Sequence, residues 1–422
     1  MSAGGIRRAA IIAVGSEMLT PLRTDTNSLI VTEELNALGV DVVFKCVAGD
    51  DKVELSHLMR HALSRVDLVV MTGGLGPTDD DITRDVAAAV LGRPLRERTE
   101  ITDAIRQRFA ARGVDMPAIN RRQAMVPDGA DVLQNANGTA PGLWLDVDRK
   151  AVLLLPGPPR EMQPILIRVV EKKLAARAAG HALYRRVVKM TGRTESHTDE
   201  ALQPLYAQWA RAAVPVEATI LAALGQIELH LSARAEDRRA VERTLDVAVD
   251  QVEDLLGRDV YSTDGKSIEE VVGGMLAQRR LRVAAAESCT GGLITSRLTD
   301  VAGSSRYVDR SAVCYSNDAK VEMLGVPESL IAEKGAVSEE VALAMAHGVR
   351  ERSRVDVGIG VTGIAGPQGG TSLKPVGTVA VAVVTPDGSS TRTLQFMGER
   401  QNVKFQASQA ALDLLRRMLM GA

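Results

Sequence analysis

The chain has 422 residues, 45% of them hydrophobic and 25% charged, with a formal net charge of −2. These are the proportions of an ordinary globular protein, long enough for two or three domains with substantial cores. The near-neutral balance gives no bulk attraction for nucleic acid or for an anionic membrane surface.

Residues 1–8 are small and basic, and the apolar run behind them stops at Val14. No stretch reaches the ~18 apolar residues of a membrane span, so neither a signal peptide nor an anchor is expected. Residues 8–170 read as alternating strands and helices. The run 9–14 ends in Gly15. Residues 26–38 have helical apolar spacing with Gly39 as the stop, 40–47 read as a strand, 53–63 as a helix and 68–72 as a β-branched strand. This βαβαβ rhythm predicts a parallel sheet with helices on both faces and ligands at the carboxyl ends of its strands.

Those strand ends carry Gly15-Ser16-Glu17, Gly49-Asp50-Asp51 and the run from Thr72 through Gly73, Gly74, Gly76, Asp79, Asp80 and Asp81 to Thr83. Glycines after a strand permit close backbone approach to a phosphate, and neighbouring carboxylates suit a hard divalent cation. One aspartate would suffice to cap a helix. Three in a row, beside Asp50 and Asp51, predict a metal–phosphate site. His57 and His61 have the i, i+4 spacing of metal ligands but no third partner, and read as structural.

The block 72–83 resembles the Thr-Gly-Gly-x-Gly signature of molybdopterin-binding domains. With Gly15-Ser16-Glu17, Asp25-Thr26-Asn27-Ser28, Asn137-Gly138-Thr139-Ala140-Pro141-Gly142 and Leu155-Pro156-Gly157-Pro158-Pro159-Arg160-Glu161-Met162, it resembles the N-terminal half of the CinA (competence/damage-inducible protein) family. The resemblance implies a molybdopterin-binding-like three-layer α/β domain over 1–171 with metal-dependent ADP-ribose pyrophosphatase activity. It further implies nucleotide contacts at Glu17, Asn27, Gly73, Gly74, Gly76, Pro156 and Gly157. A divalent metal (Mg, Co or Mn) is expected on Asp50, Asp51, Asp80 and Asp81. The loop Thr20-Pro21-Leu22-Arg23-Thr24 departs from the Gly and aliphatic residues of many members and alters the cleft rim.

Residues 172–258 change character. Strands are expected over 184–191 and 227–233, and helices over 195–205 and 237–256. Arg193, Glu195 and His197 lie together, but a solvated helix start explains them. With no clustered nucleophile, base or metal set, this reads as a small α+β connecting domain.

The third domain, 259–422, opens with a helix over 267–278 and an apolar run 281–286 leading to Glu287-Ser288-Cys289-Thr290-Gly291-Gly292. Such a strand-to-helix turn exposes backbone N–H groups and a positive helix start. It can cradle an anion or carry a nucleophile, and it can equally be a plain capping turn. A strand over 308–315 runs into Ser316-Asn317-Asp318-Ala319-Lys320. A Ser338-capped helix covers 338–352, and a strand over 355–362 breaks into a glycine-rich loop through 371. A hairpin pairs 376–385 with 391–396 about Pro386-Asp387-Gly388, and a helix over 401–420 ends the chain. The loops 286–292, 315–320 and 362–371 can converge at one sheet end. His347 sits inside a helix pattern, which leaves Lys320, if desolvated, as the better base for Ser288. Cys289 is a rival nucleophile or a small buried hydrophobe. The three cysteines (Cys46, Cys289, Cys314) are too few and scattered for disulfides or zinc, which fits a reducing cytoplasm.

The runs 286–292, Tyr315-Ser316-Asn317 with Lys320, 362–371 and Lys374-Pro375-Val376-Gly377-Thr378 resemble the C-terminal domain of the same family, similar to nicotinamide mononucleotide (NMN) deamidases. The resemblance implies an α/β amidase domain without a cofactor, Ser288 as nucleophile and Lys320 as base. Tyr315, Cys289, Thr290, Gly291, Gly292, Asn317, Thr362, Gly363, Ala365 and Gly366 would line the substrate, Arg400 would meet its phosphate, and N–H groups of 290–292 would hold the oxyanion. The expectation for the chain is a cytoplasmic homodimer acting on NMN and ADP-ribose, with no direct nucleic-acid or membrane partner. Competing readings are a non-catalytic competence or recombination accessory and a pterin-binding module.

Overall fold

A computed structural model describes residues 5–178, 183–235 and 237–421; residues 1–4 of the basic opening segment lie outside the described residues. The chain divides into two compact units, Met1–Tyr184 with Ala233–Glu242, and Arg185–Ser232 with Arg243–Ala422.

In the first unit, strand β1 (Arg8–Val14) leads through helix α1 (Asn27–Ala37) to β2 (Asp41–Ala48), then through α2 (Lys52–Arg65) to β3 (Leu68–Thr72). Helix α3 (Thr83–Val90) follows, and a ribbon of β4 (Leu95–Glu97) and β5 (Met125–Pro127) flanks α4 (Thr99–Ala110). Strands β6 (Asp131–Leu133), β7 (Gly142–Val147) and β8 (Lys150–Leu155) and helix α5 (Pro159–Val169) complete it. The sheet order is β2-β1-β3-β8-β7-β6. Its first four strands are parallel, as the βαβαβ rhythm predicts, and β7 and β6 add antiparallel. Period-two alternation splits the strands between two cores. Ala10, Ile12, Val69 and Met71 pack with Leu55, Met59, Val86 and Ile105 on one face. Ala9, Ile11, Leu68 and Val70 pack with Val31, Leu35, Met162 and Ile165 on the other. Each of the buried Val, Leu, Ile and Met side chains contributes about 1.5–3 kcal/mol. Three layers result, with the strand order reversing between β1 and β3, where a cleft opens.

The connector comprises β9 (Leu183–Met190), α6 (Glu195–Trp209), β10 (Val216–Ala223), β11 (Gln226–Arg234), α7 (Arg238–Leu256) and β12 (Val260–Ser262), its sheet ordered β10-β11-β9-β12. Strand β10 is absent from the sequence reading: it lies at the sheet edge, and its alternation Val216-Glu217-Ala218-Thr219-Ile220 is short, with most of its side chains exposed. Pairing of β12 with β9 carries this sheet past residue 259, the expected start of the third domain. Around that junction Arg193 and Arg417 share Asp259, and buried Arg416 donates to the carbonyls of Val260 and Arg258 and to Asp413.

The C-terminal domain contains α8 (Ile268–Arg279), β13 (Val283–Glu287), α9 (Leu293–Thr299), β14 (Val308–Val313), α10 (Asn317–Leu324), α11 (Glu328–Lys334), α12 (Glu339–Ser353), β15 (Val357–Gly363), β16 (Thr378–Thr385), β17 (Gly388–Gln395) and α13 (Arg400–Leu419). The sheet order is β14-β13-β15-β16-β17, with β13 parallel to β14 and β15. Helices α8, α9 and α13 cover the face of Val283, Ala285, Ile359 and Val381. Helix α12 covers the face of Ala284, Ala286, Ala380 and Ala382. It packs close enough that a Cβ on Gly358 or Gly360 would fall 2.1 Å from the carbonyl oxygens of Ala346 and Ala342. The caps follow the sequence: Ser267 and Glu270 form a capping box, and Ser338 caps α12. Two expectations shift. Strand β14 stops at Val313, leaving Tyr315 in a loop, and the final hairpin turns on Pro386-Asp387 alone because Gly388 already pairs with Thr385. The polar run Gly388-Ser389-Ser390 hides that strand start from a reading by hydrophobicity.

Candidate functional sites

The parallel arrangement of β14, β13 and β15 brings their three following loops to one sheet end. Ser288 directly follows β13, its N–H fixed on the carbonyl of Val361 at 2.9 Å. Lys320 lies on α10, whose first turn is capped by the Ser316 hydroxyl. Both are buried, with 6% of Ser288 and 2% of Lys320 exposed. The Lys320 Nζ stands 3.3 Å from Ser288 Oγ, 3.2 Å from the Cys314 carbonyl and 3.3 Å from the Ser316 carbonyl.

That geometry has a valence consequence. A neutral amine has two N–H bonds and one lone pair. The two carbonyls can only accept, so they take the two N–H bonds and leave the lone pair for the Ser288 hydroxyl proton. Burial drives Lys320 below its ordinary lysine range, against a smaller opposing pull from the nearby cysteines. Cys289 is also buried, and burial pushes its thiol up to about 12, so it is protonated at neutral pH. Its Sγ packs against Gly363, where an added Cβ would lie 3.0 Å from it. Ser288 is therefore the hydroxyl within reach of the amine, and Cys289 packs against Gly363.

The expected positive helix start behind Ser288 is overturned. Glu287, completely buried, accepts from the N–H groups of Gly292, Ile294 and Thr295 at 3.0, 3.1 and 3.0 Å, and from the Thr295 hydroxyl. Its carboxylate neutralises the start of α9 from inside. The Gly291 N–H is held by the Ser288 carbonyl at 3.1 Å. The N–H groups of Gly291 and Gly292 are thus spent, and of the expected oxyanion donors only Thr290 keeps its own. Sequence reasoning gave Glu287 no role. A lone carboxylate closing an alanine-rich buried strand was the available signal, since a buried charge needs donors.

The remaining expected residues fall as follows. The hydroxyl of buried Thr290 has no partner, and Thr362 donates to the Ala336 carbonyl at 2.8 Å. Arg400 donates to the Gly366 carbonyl and the Tyr315 hydroxyl, both at 2.8 Å, joining the loops after β14 and β15. Ala365 is buried beside Gly366, whereas Asn317 is exposed at the start of α10.

In the first unit, a cleft of about 630 Å³ opens at the carboxyl ends of β1, β3 and β8. Glu17, Asn27, Asp50, Gly73, Gly74, Gly76, Asp80, Asp81, Pro156 and Gly157 all line it, as does Arg23 of the departing loop. Asn27 donates to the Gly157 carbonyl at 2.7 Å, while its own buried Oδ1 has no partner.

The aspartates do not form the expected metal cage. Asp51 lies off the cleft as the cap of α2, accepting from the N–H groups of Val53 and Glu54. Asp81 is consumed by the Gly-rich loop, accepting from Gly76 N, Thr78 N and the Thr78 hydroxyl at 2.7, 2.9 and 2.6 Å. Asp50 accepts from Ser16 N, and Asp79 pairs with Arg122. Among the described residues no group of three or more His, Cys, Asp or Glu side chains is placed to hold a metal ion. His61 instead packs on Phe44. Arg84 braces the loop by donating to the carbonyls of Leu75 and Gly76, and burial brings its guanidinium down to about 10. Among the described residues no helix is long and apolar enough to cross a membrane.

Comparison with known proteins adds the following. Residues 265–419 match the family described as CinA C-terminal domain, 10–176 a probable molybdopterin binding domain, and 185–262 the damage-inducible protein CinA KH domain. A CinA-like protein of Solibacter usitatus is 43% identical, with 98% of each chain covered. A putative competence-damage inducible protein of Symbiobacterium thermophilum is 42% identical over 98% of this chain and 99% of its own. The crystal structure of a competence/damage inducible protein from Agrobacterium tumefaciens is 40% identical, covering 36% of this chain and 96% of that one, with a TM-score of 0.35.

Proposed function

This chain belongs to the CinA family, and on that premise we propose that its C-terminal domain is an amidohydrolase converting NMN to nicotinate mononucleotide and ammonia. The observation that carries this reading is the buried Lys320 amine, whose two carbonyl partners leave its lone pair for Ser288. Ser288 Oγ attacks the carboxamide carbon as its proton passes to Nζ. The oxyanion falls to the N–H groups of Cys289 and Thr290, an interaction typically worth ~3–4 kcal/mol. The C–N bond breaks as Nζ returns the proton to the departing ammonia. Water then attacks the acyl-enzyme, giving one proton to Nζ, and Ser288 recovers it as nicotinate mononucleotide leaves. The test is ammonia release from NMN with EDTA present, wild type beside Ser288→Ala and Lys320→Ala. Metal-independent release lost in both variants supports the reading, and a folded wild-type protein that releases nothing overturns it.

For the N-terminal cleft, the unpartnered Asn27 carbonyl and the Gly-rich loop support binding of a nucleotide such as ADP-ribose. Because Asp51 and Asp81 are already engaged, these residues do not fit a resident divalent cation, and the role proposed for the cleft is binding alone. Calorimetry with ADP-ribose against a pterin separates the nucleotide reading from a pterin module. The accessory reading rests on the names of the relatives. The KH-matching segment has glycines only at 192, 225 and 257, so it lacks the Gly-x-x-Gly loop with which KH domains clamp nucleotides.

A further inference from the structure

We propose that Lys404, on the second turn of α13, is the charge partner of the substrate phosphate and sets the preference for a nucleotide over its nucleoside. This rests on the amidohydrolase reading of the C-terminal domain.

Arg400 is the obvious phosphate ligand, but each of its terminal nitrogens already holds a partner, one on the Gly366 carbonyl and one on the Tyr315 hydroxyl. Its fork is thus partly committed to joining two loops. One turn later on the same helix, and so on the same face, stands Lys404. It is half-buried, yet among the described residues it has neither a hydrogen bond nor an ion pair. Its Nζ lies 3.7 Å from the point a Cβ on Gly291 would occupy, the one heavy atom from beyond residues 290–292 within 4 Å of it among the described residues. Gly291 adopts φ +63 and its N–H closes the turn onto the Ser288 carbonyl. The ammonium therefore stands over the turn that carries the nucleophile, in space that a side chain at 291 would contest.

Two cations in the first two turns of a helix oppose its dipole, and Glu399 makes no side-chain cap there. An anion held between Arg400 and Lys404 relieves that opposition. A phosphomonoester dianion is the group a nicotinamide nucleotide brings to the end opposite its carboxamide. A half-buried ammonium meets such a group as a point charge.

The experiment measures kcat and KM for ammonia release from NMN and from nicotinamide riboside, which lacks the phosphate, for the full-length wild type, Lys404→Ala and Lys404→Arg. Lys404→Ala is expected to raise KM for NMN by ~10- to 100-fold, with kcat nearly unchanged. The riboside constants should stay as they were, and Lys404→Arg should restore much of the loss. An unchanged KM for NMN overturns the assignment. Equal losses on both substrates, with a displaced pH profile, also overturn it and place Lys404 among the groups that tune Lys320. If the wild type releases ammonia from neither compound, the amidohydrolase reading fails, and calorimetric titration with NMN then decides on Lys404 alone. Binding that Lys404→Ala abolishes keeps the phosphate site; binding that it leaves intact, or no binding, removes it.

Discussion

Both candidate sites lie at the carboxyl ends of parallel strands, yet they use their polar groups in opposite ways. In the N-terminal cleft the carboxylates that look like ligands are spent on the loop itself: Asp81 ties Gly76 and Thr78, and Asp51 caps α2. In the C-terminal site the structural work falls to a residue outside the Ser288–Lys320 pair. Glu287 anchors the turn from behind, and Lys320 in its neutral form keeps one valence free for Ser288. A polar side chain is available for chemistry only after its structural obligations are subtracted. Acidic clusters beside glycine-rich turns are poor guides for that reason.

The comparison can be broken most sharply at the dyad. Ser288→Ala and Lys320→Ala should each lower kcat for ammonia release by ~10⁴-fold or more, with thermal melts showing that both variants fold. Glu287→Gln comes next. An amide nitrogen then faces backbone N–H donors in a dry site, which should cost about 2–3 kcal/mol in urea denaturation and ~10²-fold in kcat through the displaced Ser288 turn. Retention of wild-type stability would show that Glu287 is not the anchor.

The counterpart in the first unit is Asp81→Ala, which strands three donors and should cost about 2 kcal/mol. Asp80→Ala, at an exposed position, should stay within about 0.5 kcal/mol. Equal effects would erase the distinction between the half-buried, loop-building Asp81 and the exposed Asp80. The gentlest probe is pH. Ser288 needs neutral Lys320, so kcat/KM rises with pH, about tenfold per unit, until it passes the lowered lysine value, and is flat above it. A plateau reached only in the ordinary lysine range, at ~10.4, would mean that burial does not tune this amine.

Much of this was legible in the sequence. The βαβαβ rhythm gave the parallel sheet because strands buried on both faces are continuous apolar runs, and Ser338 marked a helix start by its capping chemistry. Ser288, Lys320, Tyr315 and Arg400 were singled out by their loops and by family resemblance, and the fold brings Lys320 to Ser288 and Arg400 to Tyr315. Edge strand β10 escaped because its alternation is short and rests on Ala218 and half-buried Ile220, a weak apolar signal. Glu287 and Lys404 escaped because their meaning is relational: one needs the N–H groups at the start of a helix that begins six residues later, the other a turn more than a hundred residues away. The valence argument at Lys320 depends on two backbone carbonyls, and main-chain atoms have no signature in residue identity.

The borrowed strand β12 bears on how such a protein is assembled from parts. Asp259 and the carbonyls of Arg258 and Val260 serve the connector's edge and, at the same time, discharge the guanidinium groups of Arg416 and Arg417 near the end of the last helix. The seam is thus stitched by side chains from the far end of the chain. A C-terminal domain that travels alone must find substitutes for those acceptors, because Asp413 alone leaves N–H bonds of the buried Arg416 guanidinium unsatisfied. Modularity here lies less in where the chain can be cut than in which distant residue must change when it is.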